Sequence, residues 1–441
     1  MVPLPDPLPV SPLVGPLDVV VSLPGSKSIT NRALVCAALA EGTSTLTNAL
    51  HADDTEAMVD GLLALGAEVD ARWAQGELIV SGTAGRPLSD VAIVDARLSG
   101  TTSRFLLPVA ALGEGHRRVD AANRMRERPM RDVLDAVRAL GAEVHDVGAP
   151  GHLPVEVVGG TLVGGEVAVR GDASSQFLSG LLLSGPAMRA GLVARLVGDL
   201  VSEPYVDMTV AVMAAFGVEV QRPDDRTWVV DPQRYRAADL AIEPDASAAS
   251  YVFAAAALVG GRATVVGLGQ GSLQGDLAFV DVLEQMGAQV DRGRSSTTVT
   301  GTGGLRGIEV DMSQLSDTAP TLAVVAAFAE GPTRMTGIGF IRGKETDRIG
   351  NVVAELRRLG VDALEEPDGM TIRPDPGPCR PATIQTYDDH RMAMAFALAG
   401  LRSDGVQIAD PSCVAKTFPG YWRLLEELRD PSQGGAMVRT P

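Results

Sequence analysis

Lysine is almost missing from this chain of 441 residues: Lys27, Lys344 and Lys416 stand against 35 arginines. Cysteine is equally scarce. Cys36, Cys379 and Cys413 are an odd number with no CxxC spacing, which argues against a disulfide framework or a zinc site and makes a reducing cytoplasm the default. Aromatic residues are only 4%, so the cores must be built from Ala, Val, Leu and Gly. Positive charge is in deficit. A formal net charge of −17 argues against nucleic-acid and membrane-surface partners, while leaving room for a local basic pocket. No apolar run reaches the ~18 residues of a membrane span. The opening "MVPLPDPLPVSPLVGPL" lacks the basic and apolar regions of a secretory signal and reads as a proline-stiffened tail. The closing "DPSQGGAMVRTP" reads as disordered.

What the chain has in quantity is 45% apolar residues, enough for two or three domains, and an internal repeat. The stretches "GSKSITNRALVCAALAEG", "LSGTTSRFLLPVAALGEG", "GDASSQFLSGLLLSG", "PDASAASYVFAAAALVGG", "LSDTAPTLAVVAAFAEG" and "YDDHRMAMAFALAGL" each open on small polar residues and run on as Ala, Leu and Val. The openings fall at Ser26, Ser99/Gly100, Asp172, Asp245, Asp317 and Asp389, in steps of 72 or 73. Each reads as a capped helix start followed by a buried helix. Five further copies, "LLALGAEV", "VRALGAEV", "MAAFGVEV", "LEQMGAQV" and "LRRLGVDA", read as amphipathic helices stopped by glycine and followed by a strand. "YWRLLEELRD" is a sixth copy without that ending. Stretches such as "VEVVG", "ATVVG" and "VVVSL" supply the other strands.

Six α/β repeats make two domains of three more readily than one domain. The expected division is residues 26–244 for repeats one to three, and 1–25 with 245–441 for repeats four to six. The strand "DVVVSL" at 18–23 is expected to complete repeat six.

A helix N-terminus favours anions, and the rare lysines and several arginines gather at such places. Lys27, Ser28 and Arg32 open the first helix of repeat one. Arg104 lies in that of repeat two, and His390 and Arg391 open that of repeat six. Arg128, Lys344 with Arg348, and Lys416 precede second helices. A lysine retained where arginine is the rule points to a compact charge or a proton donor. Ser174, Ser175 and Gln176 stand where repeat four has Ser247, Ala248 and Ala249, which marks them as ligand-facing; Asp245 and Ser247 read as caps. Asp317 is a cap or a base, and Glu345 a surface partner or an acid of tuned pKa. His116, His145 and His152 read as solvated. "GSKS" fails as a phosphate loop because position 21 is Val, and "GLGQGS" fails as a dinucleotide fingerprint. No His, Cys and carboxylate cluster suggests a metal.

These residues carry a resemblance. "LPGSKSITNR", "RERP", "GDASSQFLSGLL", "SEPYVD", "GDLAFVDVLEQMGA", "SDTAPTLA", "RGKETDRI", "TYDDHRMAMAFAL" and "AKTFPGYW", in this order from about residue 15 to about 428, resemble the 3-phosphoshikimate 1-carboxyvinyltransferase family, the 5-enolpyruvylshikimate-3-phosphate synthases. The resemblance implies an α/β fold of two domains, each of three βαβαββ units, with buried helices whose N-termini face the interdomain cleft. It implies transfer of the enolpyruvyl group of phosphoenolpyruvate to the 5-hydroxyl of shikimate 3-phosphate, with release of phosphate, in aromatic amino-acid biosynthesis. No metal or organic cofactor is implied, and a cytoplasmic monomer open to inhibition by glyphosate is expected.

Carried over by position, Ser28, Arg32, Ser174, Ser175, Gln176, Ser202 and Lys344 would hold shikimate 3-phosphate, with Tyr205 nearby. Lys27, Gly100, Arg128, Gln176, Arg348, Arg391 and Lys416 would meet phosphoenolpyruvate. Asp317 would be the base for the 5-hydroxyl. Glu345 and Lys27 would handle the methylene proton, with His390 assisting. Two departures stand out. Leu98 and Ser99 replace an Asn-Ala pair before Gly100 and Thr101, and Phe340 replaces an Asn four positions before Lys344. The alternatives are enolpyruvyl transfer to UDP-N-acetylglucosamine, whose family usually opens Lys-Asn and carries a reactive cysteine (occasionally an aspartate) on a loop that has no cysteine here, or a non-catalytic repeat protein that binds anions.

Overall fold

Repeat two shows how one period folds. Strand Val91–Asp95 leads into the buried helix Gly100–Ala110, strand Gly115–Asp120, helix Arg131–Ala139 and the hairpin Glu143–Asp146 with Val155–Gly159. The first two strands pair in parallel, as a helical crossover requires, and the hairpin adds antiparallel. Repeats three and five use the same strand order. In this computed structural model, residues 4–375, 377–430, 438 and 439 are described. Contacts divide the chain into a continuous body, Gly25–Glu243, and a discontinuous one, Met1–Pro24 with Pro244–Pro441.

Local sequence explains the elements. Ser26, Ser99 and Asp245 accept hydrogen bonds from free N–H groups of the helices they precede, at Ile29, Thr102 and Ala248. The five second-helix stops are Gly66, Gly141, Gly217, Gly287 and Gly360. All have φ between 80° and 110°, the left-handed region that an L side chain resists. The helices behind those caps are buried on all sides, as Ile29–Leu39 and Gly100–Ala110 show. Helix Ser175–Ser184 packs on Gly100–Ala110, and the Arg104 carbonyl lies where a Cβ on Gly180 would be.

Four expectations are corrected. Strand Leu17–Val21 does not complete repeat six; it pairs in parallel with Gly261–Val266 of repeat four. Its counterpart Asp239–Ala241 pairs with Thr43–Thr47 of repeat one. Each strand that precedes a crossing therefore stays in the body it leaves, while the helix after it belongs to the other. The N-terminal segment is more than a proline-stiffened tail, since Leu8–Pro9 pairs with Val406–Ile408 of repeat six and Val10 is buried against Gly400. At the other end, 431–437, 440 and 441 lie outside the described residues, whereas Val438–Arg439 forms a strand on Leu17–Val21. Asp172 is not a cap; Ser174 caps that helix, and Asp172 pairs with Arg170 at the surface. Among the described residues no helix is long and apolar enough to cross a membrane.

Candidate active site

In the continuous body, Lys27 is the first residue of helix Lys27–Leu39. Its Nζ lies 3.3 Å from Asp54 Oδ2, in the first turn of helix Asp53–Ala64. One turn on, Arg32 is only 1% exposed. Its Nε donates to Thr209 Oγ1 at 2.7 Å, Nη1 to the Ser28 carbonyl at 3.0 Å and Nη2 to the Tyr205 carbonyl at 2.9 Å. Burial pulls its pKa down to about 10, which leaves it charged at neutral pH. Among the described residues, three of its five N–H groups are thus committed to protein, and two remain.

Gly100 opens the next buried helix, and the Arg128 guanidinium lies over it: a Cβ there would sit 3.1 Å from Nη1. Arg104 Nη1 donates to Gln176 Oε1 at 2.7 Å, and Gln176 Nε2 donates to Thr101 Oγ1 at 3.3 Å. This fixes the amide orientation of Gln176 at the start of helix Ser175–Ser184. Ser175 is buried. Ser202 holds φ at 53°, and its carbonyl accepts from Tyr205 N at 3.1 Å.

In the discontinuous body, Asp317 lies in a turn, Ser316–Thr318, rather than at a cap, with Pro320 in the first turn of the helix that follows. Its carboxylate is left to cations: Lys344 Nζ at 2.6 Å, Arg391 Nη2 at 2.7 Å and Arg348 Nη1 at 3.2 Å. Arg348, itself 1% exposed, also donates to Glu345 Oε2 at 2.8 Å and binds both oxygens of Asp389, at 2.8 and 3.1 Å. Lys416 Nζ stands 3.9 Å from Glu345 Oε1. Arg391 reaches Ser247 Oγ at 3.4 Å, and Ser247 donates to Asp276. Cations and carboxylates alternate along the cluster, so anions entering it meet positive charge already held in place.

The electrostatics follow from this packing. Burial alone would raise the Asp317 pKa, but the charges of Arg391, Lys344 and Arg348 outweigh it and hold the carboxyl well below its usual range. Burial, and then the charge of Arg391, keep His390 neutral by pushing its pKa far down. Its Nδ1 lies 3.6 Å from Asp389 Oδ1.

A pH test follows for Asp317. Its depressed pKa adds stability that is fully present above the unfolded value of ~3.9 and is lost as the pH falls through the folded value. In urea titrations, Asp317→Asn should lower the midpoint equally at pH 7 and pH 5, and the gap should narrow at pH 3. A gap of equal size at all three pH values would contradict this.

The family model described as EPSP synthase (3-phosphoshikimate 1-carboxyvinyltransferase) matches residues 13–425. The chain belongs to the EPSP synthase family. The 3-phosphoshikimate 1-carboxyvinyltransferase of Nostoc punctiforme is 46% identical over 408 residues, 92% of this chain and 95% of that protein. That of Methanoculleus marisnigri is 42% identical over 413 residues, 93% and 97%. The EPSP synthase structure from Acinetobacter baumannii superposes with a TM-score of 0.78 at 26% identity, covering 97% of this chain and 98% of that one. The enolpyruvyl transferase NikO from Streptomyces tendae, at 21% identity and a TM-score of 0.74 over 96% of this chain and 98% of that one, shares the fold.

Within this EPSP synthase family member, the residues singled out in the sequence form two groups. Lys27 with Arg32, and Gly100 with Gln176, are placed by the starts of the continuous body's buried helices, and Arg128, ahead of helix Arg131–Ala139, lies over Gly100. Asp317, Lys344, Glu345, Arg348, Arg391 and Lys416 form one ionic cluster in the discontinuous body, with His390 beside it. Ser247 is not a cap, because Asp245 fills that role; Ser247 instead links Arg391 to Asp276. Ser99 and Phe340, two of the three departing residues, have local roles. Ser99 is the N-cap of its helix, and the Phe340 ring carries the Lys344 ammonium 5.6 Å from its centroid. Sequence reading missed Asp54, Asp276 and the second role of Asp389. Asp389 had a signal, since it directly precedes His390 and Arg391. Asp276 had none. Among the described residues no group of three or more His, Cys, Asp or Glu is placed to hold a metal.

Proposed function

We infer that this chain transfers the enolpyruvyl group of phosphoenolpyruvate to the 5-hydroxyl of shikimate 3-phosphate and releases phosphate, a step of aromatic amino-acid biosynthesis. The observation that carries the reading is the cluster in which Asp317 and Glu345 lie among Lys344, Arg348, Arg391 and Lys416. A protein that only bound anions would gain nothing from two carboxylates that compete with its ligand. An enzyme that must move protons between anionic reactants needs both kinds of group.

In this reading Asp317 takes the proton of the 5-hydroxyl while that oxygen attacks C2 of phosphoenolpyruvate, and the methylene carbon gains a proton from Glu345 or Lys27. The tetrahedral intermediate then loses the methyl proton to the same pair as the C–O bond to phosphate breaks. Asp317 is too acidic to act as a base while three cations hold it. Arriving phosphate and carboxylate groups draw those charges toward themselves, and each charge withdrawn lets the Asp317 pKa rise toward the range of a working base. Ser28, Arg32, Ser174, Ser175, Gln176, Ser202 and Lys344, with Tyr205, are assigned to shikimate 3-phosphate. Lys27, Gly100, Arg128, Gln176, Arg348, Arg391 and Lys416 are assigned to phosphoenolpyruvate, with His390 alongside. A cytoplasmic setting without nucleic-acid or membrane partners matches this reading, supported by the net charge of −17 and the free Cys36, Cys379 and Cys413; a monomer is proposed with it.

The test is phosphate release from phosphoenolpyruvate with shikimate 3-phosphate, with UDP-N-acetylglucosamine and with no acceptor. Turnover is expected with the first alone; turnover with the second would reject the assignment.

Gly100→Ala probes the same reading. The added methyl group presses on the Arg128 guanidinium, so the KM for phosphoenolpyruvate should rise several-fold. The inhibition constant of glyphosate, a longer molecule competing for the same place, should rise by at least ten times more. Equal losses would refute this picture of the wall.

A further inference from the structure

We propose that Glu355 is a positioning residue, which through Tyr387 and Gln385 holds in place the Asp389 carboxylate that orients Arg348 and Arg391. Glu355 lies in helix Gly350–Arg358 and its side chain is fully buried. A carboxylate in that setting must be paired or hydrogen-bonded. Its Oε1 accepts from the Tyr387 hydroxyl at 2.8 Å. Its Oε2 accepts from Gln385 N at 3.0 Å and from Arg358 Nε at 3.0 Å. Arg358 is 49% exposed, so the inner side of this carboxylate is directed at the segment 385–387.

That segment is strained. Tyr387 and Asp388 are consecutive non-glycine residues with φ of 55° and 58°, a left-handed pair that side chains oppose and that persists only where the surroundings enforce it. The turn ends at Asp389, whose N–H donates to the Thr386 carbonyl at 2.9 Å. Asp389 then does two things at once. It takes Arg348 with both oxygens, and it accepts from Arg391 N at 2.9 Å. The segments 345–358 and 385–391 are therefore tied twice. One tie, Arg348 to Asp389, lies inside the ionic cluster. The other, Glu355 to Tyr387 and Gln385, lies outside it and touches none of the residues assigned to substrate. Without the outer tie the turn can relax toward negative φ, and Asp389 moves with it.

The proposal rests on the assignment of Arg348 and Arg391 to phosphoenolpyruvate. Glu355→Gln, Tyr387→Phe and the double variant test it by steady-state kinetics, thermal melting and hydrogen exchange of the ligand-free protein. Each single variant should raise the KM for phosphoenolpyruvate five- to ten-fold and leave that for shikimate 3-phosphate within twofold. The double variant should be little worse than either single one, because both cut the same tie. Amides of 386–391 should exchange faster in both. Unchanged local exchange, equal rises in both KM values, or a lowered melting point with unaltered KM values would each overturn the proposal. A wild-type chain inactive with both substrates would instead reject the functional reading, and the exchange result would still decide whether the tie exists.

Discussion

Asp317→Asn should lower kcat by ~10³-fold, within the 10²–10⁴ range of a lost general base, without weakening phosphoenolpyruvate. Asparagine keeps the shape and can still accept from Lys344, but it cannot take a proton. The three cations that now share Asp317 at 2.6, 2.7 and 3.2 Å would lose their internal competitor. Affinity for the anionic substrate should therefore hold or improve, so that kcat falls while the KM for phosphoenolpyruvate stays level or drops. That split separates a lost base from a damaged pocket. Turnover within tenfold of wild type would remove Asp317 from the chemistry and leave it as a counter-ion.

Lys27→Arg should cost at least ~10²-fold in turnover, the lower end for a group that exchanges a proton. Lys27 opens a helix whose N-terminus already favours anions, and Ser26 caps that helix through its own side chain, so the fold does not depend on Lys27. Its partner Asp54 is 3% exposed and 3.3 Å away. An arginine could keep that ion pair, but its guanidinium is wider, stays protonated and cannot place a compact ammonium against the bridging oxygen of phosphoenolpyruvate. Binding of shikimate 3-phosphate, measured by titration, should be largely kept. Arg429→Lys, on the exposed last turn of helix Tyr421–Arg429, is the control and should be near neutral. Near-normal turnover in Lys27→Arg would show that charge alone is needed at that position.

Much of this molecule was written locally. The period of 72 or 73 residues, the caps at Ser26, Ser99, Asp245 and Asp389, and the five glycine stops depend on residues a few positions apart, where hydrogen bonding to free N–H groups and backbone sterics act directly. The rarity of lysine drew attention to Lys27, Lys344 and Lys416 for a related reason: in an arginine-rich chain, lysine marks places where the shape of the cation matters. Tertiary structure alone decided the rest, because it depends on residues that no local rule relates. Arg32 meets Thr209 across 177 positions and Ser247 meets Asp276 across 29. Leu17–Val21 joined repeat four rather than repeat six because a strand is selected by the parallel partner it finds, Gly261–Val266, and not by the helix that follows it. Asp317 read in sequence as either a cap or a base. It became the counter-ion of three cations because burial makes an unpaired charge costly, and only the fold determined which charges were near enough to pair.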